Sequence, residues 1–236
     1  MGKMIVVFLI SFLMGWAFDT NVVKLSIVDV DKKKQTLVLK PASVRVGETG
    51  IVFHQIGPGV ISNLVTITEV TPKALHASYK RFDLLEQKYL PTPVVEPKVG
   101  DEVIMRSFYT RGFIVAPNQA VYEEIKTLFP KIEFVSSDLM IADVGDKGIV
   151  DPSKKGFQEI CKIYSVGILM IYASNGLNIL DCQSFQVLET QEVNNPNPEE
   201  KYYPFFARVP AKSFWDFLKR KKDYYDEYDK LLNEAL

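Results

Sequence analysis

Cysteine and histidine, the commonest ligands of structural metals and frequent catalytic residues, are scarce in this chain of 236 residues, which has two of each. Neither His54 nor His76 belongs to an HExxH or other metal-ligand spacing, and each lies in a β-patterned segment where a histidine serves structure. No GxSxG elbow is present, and Ser136-Ser137-Asp138 reads as a set of capping residues. The phosphate-cradling patterns GxxxxGK[ST] and GxGxxG are missing too. Asp29 and Asp31 stand two apart on one strand face, a weak metal site without a third ligand. These absences point away from an enzyme or a bound cofactor and toward a binding or assembly protein.

An excess of one charge is also lacking: 28 Lys and Arg face 29 Asp and Glu, a formal net charge of -1. A nucleic-acid reader carries a basic field, so nucleic acid is not expected as a partner. The apolar stretch from Met4 to Met14 follows Lys3 and ends at Asp19, Thr20 and Asn21, short of the roughly 20 residues that a spanning helix needs. Gly15 and Ala17 fit a signal-peptidase cut between Ala17 and Phe18. Residues 1–17 are therefore expected to be a signal peptide, leaving an exported chain with no stable membrane anchor. In an exported protein, the even pair Cys161 and Cys182 suggests a disulfide, with two buried free thiols as the alternative.

What is present is a dense series of strand patterns. From 22 to 111, KLSIVDV, QTLVLK, GIVFHQI, NLVTITEV and ALHASYKRF alternate with turn residues, the pattern of a small β-barrel or sandwich-like domain. Asp31-Lys32-Lys33-Lys34 reads as the first hairpin connection. Val46-Gly47-Glu48 and Val99-Gly100-Asp101 resemble each other as tight acidic turns that feed strands. From 112 to 193 the pattern becomes that of an α/β domain. GFIVAP is a strand, Asn118 an N-cap, and AVYEEIKTLF a helix with Val121, Ile125 and Leu128 or Phe129 on one face. IEFVSSDL follows as a second strand, parallel to the first. A loop is expected over Gly145–Pro152, then a helix capped by Ser153 with Phe157, Ile160 and Cys161 on one face. Residues 194–210 read as an extended linker and 211–236 as an amphipathic helix, so the fold class is α+β.

Ile163 to Leu188 is the centre of this plan. Its apolar run ILMIYA is followed by Asn175-Gly176, which reads as a two-residue type I′ turn. That turn sets Ser174 opposite Leu177 and Leu169 opposite Cys182. Ile168, Met170 and Tyr172 share one face, with Leu169 and Ile171 on the other, so the strand is interior to a covered sheet. A straight strand back to Cys161 would separate the cysteines by about 26 Å, against a Cα limit of about 7 Å for a disulfide. A bond therefore requires the chain to turn back between Lys162 and Val166.

YLPTP, VGDEV, FIVAPNQAVYEEI, IEFVSSDL, YSVGILMIYASNGLNILDCQSFQVLE and PFFARV together resemble the N-terminal domain of the plasminogen-binding protein PgbA family of Helicobacter and related bacteria. The resemblance covers Val22 to Val209, and Cys161 and Cys182 match positions where the family pattern has cysteine. It implies a protein in the periplasm or on the cell surface of a Gram-negative bacterium, with plasminogen as a protein partner. Kringle modules of plasminogen recognise lysine, best with a terminal carboxylate nearby. The family's Lys-rich extension and terminal lysine have no counterpart before the chain ends in Asn233-Glu234-Ala235-Leu236. The cluster Lys219, Arg220, Lys221 and Lys222 reads as a solvated helix face, with its lysines as the internal substitutes for such a ligand. The other expectation is a periplasmic scaffold or assembly component of an envelope machine.

Overall fold

The computed structural model describes residues 18–55, 57, 59–84, 94–146, 152–209 and 222–234; the expected signal peptide of residues 1–17 lies outside them. Six strands form the first lobe: β1 (Val23–Asp31), β2 (Thr36–Leu39), β3 (Thr49–His54), β4 (Val60–Val70), β5 (Leu75–Arg81) and β6 (Glu102–Met105). They close into a barrel in the order β1-β2-β5-β4-β3-β6, every neighbouring pair antiparallel. Alternation explains the closure. Leu25 and Ile27, Leu37 and Leu39, Val65 and Ile67, and Val103 and Met105 all point into one buried core. The expected choice between barrel and sandwich is settled as a barrel.

The second lobe is a five-stranded sheet in the order β11-β10-β9-β7-β8. Its strands are β7 (Arg111–Val115), β8 (Glu133–Phe134), β9 (Ile168–Ala173), β10 (Gly176–Asp181) and β11 (Val187–Gln191). β7 pairs in parallel with both β8 and β9, as the strand-helix-strand pattern predicts. α1 (Gln119–Leu128) covers one face, with Val121, Tyr122 and Ile125 buried and Asn118 accepting the Val121 N–H. Phe129, not Leu128, joins that face, since Leu128 is exposed. α2 (Ser137–Asp146), α3 (Lys154–Tyr164) and α4 (Tyr224–Asn233) cover the other face through Met140, Phe157, Ile160, Tyr224 and Tyr228. β9 is thus buried on both sides, and the α+β class holds. Among the described residues no helix is long and apolar enough to cross a membrane.

Three expectations need correction. The strand over IEFVSSDL shrinks to Glu133–Phe134, because Ser136 caps Asp138 through its hydroxyl and opens α2. That helix runs through Gly145 to Asp146, into the expected loop. In the central hairpin, Leu177 faces Tyr172 and Leu180 faces Leu169, a register two residues away from the expected one. Gly176 alone in this turn has positive φ, 106°, whereas a type I′ turn needs positive φ at both central residues. The turn is therefore Ser174-Asn175, with Gly176 following it. Asn175 closes it by exchanging amide hydrogen bonds with Asn178 at 3.1 and 2.7 Å. A two-residue shift preserves the faces of every side chain, so the covered-strand reading survives.

The tail helix is described only as α4, which Asp223 caps by accepting the Tyr225 N–H; residues 210–221 lie outside the description. Tyr224 donates to the carbonyls of Val115 and Tyr172, and Tyr228 to that of Pro204. Phe205 and Phe206 are buried, bringing the connecting segment back onto the sheet.

Candidate functional site

Of the residues singled out from sequence, the cysteines come together. α3 ends at Ser165 in the left-handed conformation, and the Val166 N–H bonds back to Cys161 O at 2.9 Å. This is the turn the disulfide requires. Cys161 and Cys182 are bonded with a Cα separation of 6.0 Å. The bond pins α3 to the end of β10 across a loop of 21 residues. Removing it, by reduction or by Cys161→Ser with Cys182→Ser, is expected to lower stability by about 3 kcal/mol. Thermal melts of both forms, with a thiol count before and after reduction, check this. Two free thiols in the untreated protein would contradict the bond.

The basic cluster is not assembled into a described site. Lys219, Arg220 and Lys221 lie outside the described residues, and the Lys222 ammonium sits 3.4 Å from Glu227. Three consecutive exposed lysines lie elsewhere, at the β1–β2 connection, where Lys32, Lys33 and Lys34 all face solvent. Asp31 builds that turn by accepting the N–H groups of Lys33 and Lys34, each at 3.0 Å. Its carboxylate lies 3.9 Å from the Lys34 ammonium. Asp31 is thus a turn-forming residue whose carboxylate ties the loop and faces the Lys34 ammonium. Among the described residues no group of three His, Cys, Asp or Glu is placed to hold a metal.

His54 is built into the end of the barrel. Its Nε2 lies 2.6 Å from Ser62 Oγ and its Nδ1 2.9 Å from Asp101 Oδ2, while the Ser62 hydroxyl donates to Asn63. With His54 1% and Ser62 2% exposed, this row ties β3, β4 and the turn before β6 together and presents no nucleophile to solvent. His76 is exposed on β5.

The most elaborate polar arrangement, which the sequence reading missed, lies in the seam between the lobes. Asp181, at the end of β10, is fully buried. Its Oδ2 accepts from Thr49 N, Thr49 Oγ1 and the Tyr109 hydroxyl at 2.9, 2.6 and 2.8 Å. Its Oδ1 accepts from Gln183 N and Ser184 N at 2.8 and 2.9 Å. Burial pushes the Asp181 carboxyl up from its ordinary range, and the donors, Thr49 first, oppose that shift. Burial likewise holds the Tyr109 phenol well above its usual value.

A second buried group stands beside the first. Arg106, 3% exposed, forks onto Glu48 through Nε at 2.8 Å and Nη2 at 3.0 Å. It also donates to Ser43 O and to Asp19. Burial raises the Glu48 carboxyl, and Arg106 counters the rise. Phe18 stacks on Tyr109 at 6.1 Å beneath the Arg45 guanidinium. Arg45 reaches Glu189 on β11 at 2.7 Å, and Lys162 reaches Asp83 at 2.8 Å. Gly47 has φ 89°, and a Cβ there would meet Gln186 Cβ at 2.5 Å, so the acidic turn before β3 approaches the sheet lobe closely only as glycine. The arrangement locks two lobes in one orientation through desolvated hydrogen bonds.

Comparison with known proteins agrees in extent with this two-lobed body. The chain is 32% identical over 217 residues to the plasminogen-binding protein PgbA of Helicobacter pylori strain J99, covering 89% of this chain and 48% of that protein. It is 31% identical over 217 residues to the protein of the same name from strain 26695, covering 89% and 47%. The chain thus spans about half the length of the curated relatives it matches. No solved structure matches it. The family model described as the N-terminal part of plasminogen-binding protein PgbA matches residues 22–232, from the first barrel strand into α4, and the chain belongs to that family.

Proposed function

We propose that this protein is an exported, non-catalytic binding protein of the bacterial envelope that captures plasminogen through exposed lysines. The observation carrying this reading is the identity, across both lobes, to relatives named for plasminogen binding. The β1–β2 turn supports it chemically. Lys32, Lys33 and Lys34 project into solvent from a short loop tied by Asp31, and a lysine-recognising pocket needs an accessible ammonium. Lys222 is less suited, being held against Glu227.

Surface plasmon resonance of the full chain against plasminogen tests the reading. Saturable binding is expected to vanish when a lysine analogue is added. Replacing Lys32, Lys33 and Lys34 together by alanine is expected to weaken binding about tenfold, with the melting temperature unchanged because these side chains are exposed. Binding insensitive to the analogue, or none, would overturn plasminogen capture. Export and surface display are tested separately by cell fractionation with protease accessibility, where a cytoplasmic chain would refute them.

A further inference from the structure

Between the lobes lies a cleft of about 430 Å³, within the size range of small-ligand sites and in the position between structural units where such sites concentrate. One wall is the outside of β4 and β5. Their register sets Thr66 across from Ser78 and Leu64 across from Lys80, while Val65, Ile67 and Tyr79 point into the barrel core. Alternation therefore presents Thr66, Ser78 and Lys80 to the cleft. The opposite wall carries Gln183 and Gln186 from the β10–β11 turn. At the base, Ser184 joins the walls by donating to Gly47 O at 2.7 Å.

Ser184, Thr68 and Gln183 spend their side-chain donors within the fold, but four other polar groups of the cleft are not consumed. Among the described residues, the Thr66 and Ser78 hydroxyls, the Lys80 ammonium and the Gln186 side-chain amide have no hydrogen-bonding or ionic partner in the protein. Hydroxyls and primary amides both donate and accept, so their natural complements are groups that also do both: sugar hydroxyls and acetamido groups. The lone ammonium calls for one carboxylate. Val46, 48% exposed at the rim, offers an apolar contact for an acetamido methyl. A plain peptide is a poorer match. β4 and β5 have neighbours on both edges of the closed barrel, so the wall has no main-chain edge for strand addition.

We infer that the cleft binds a carboxylate-bearing, acetamido-substituted oligosaccharide, the chemistry of a cell-wall muropeptide. This rests on the exported reading, since an envelope protein meets such ligands.

Isothermal titration of the full chain with a disaccharide-dipeptide muropeptide tests it. Saturable binding is expected, weakened about fivefold by Lys80→Ala and by raised salt, and weakened further by Thr66→Val with Ser78→Ala. Amidating the ligand's carboxylates should reproduce the Lys80→Ala loss. Failure to bind, binding that these variants leave untouched, or equal binding of tetraglutamate would overturn the assignment. Location is read independently by fractionation: an envelope protein that ignores the muropeptide refutes the cleft, and a cytoplasmic one that binds it refutes only export.

Discussion

Asp181→Ala is expected to cost about 3 to 5 kcal/mol of stability, lowering the melting temperature by about 10 °C for a chain of this size. The mutation removes little volume; the cost lies in what it leaves behind. Five donors converge on that carboxylate. Alanine strands the Thr49 N–H and hydroxyl and the Tyr109 hydroxyl, in a seam where Thr49 is 4% and Tyr109 1% exposed. Asp181→Asn is isosteric yet also harmful, because one of its two acceptors becomes an NH₂ group aimed at donors. Urea titrations of wild type and both variants decide the matter. A midpoint for Asp181→Ala within experimental error of wild type would show that the seam does not depend on this residue.

Arg106→Ala should cost a comparable amount, about 3 to 5 kcal/mol, because it leaves Glu48 charged, 1% exposed and without its bidentate partner. The diagnostic result is non-additivity. Replacing both partners, Glu48→Met with Arg106→Met, removes the two charges together and is expected to be less damaging than the sum of the single changes by about 1 to 3 kcal/mol. Arg106→Lys tests the fork itself, since an ammonium keeps the charge but not the paired geometry to Glu48. Additive losses across the four-protein cycle would mean that Arg106 and Glu48 act independently, contrary to the 2.8 and 3.0 Å bonds between them.

Much of the fold was legible because its signals are local. Alternating apolar residues mark the barrel strands, Asn118 and Ser153 mark helix starts, and the doubly apolar run of β9 announces an interior strand. The required turn before Val166 followed from chain reach alone. The hairpin register was not legible, because Asn-Gly is compatible both with a type I′ turn and with a turn followed by a positive-φ glycine. The Asn175–Asn178 pairing that accompanies the second option appears only in space. The seam was missed for a related reason. Glu48 and Arg106 are 58 residues apart, and Thr49 and Asp181 are 132 apart. The available clue was the polar residue that closes an apolar run: Asp181 after Ile179-Leu180, and Arg106 after Val103-Ile104-Met105. Such a residue in a covered sheet needs a partner, although spacing does not name it. The acidic turns at Glu48 and Asp101 likewise contribute more than a change of direction, one through Arg106 and the other through His54.

The wide sequence separation of the seam bears on how the protein assembles. Closing a loop costs more entropy as the loop lengthens, and local hairpins form before distant surfaces meet. β9 and β10 meet across a two-residue connection, and the barrel closes when β1 finds β6. The seam instead joins Arg45 to Leu188 and Thr49 to Asp181, 143 and 132 residues apart, and gains its hydrogen bonds only when both lobes present finished surfaces. Each lobe is expected to behave as a cooperative unit, with docking as the last step of folding and undocking as the first step of unfolding. During synthesis Thr49 and Arg106 emerge well before Asp181. The Thr49 donors therefore bond to water until the strand that ends at Asp181 has been made and displaces it.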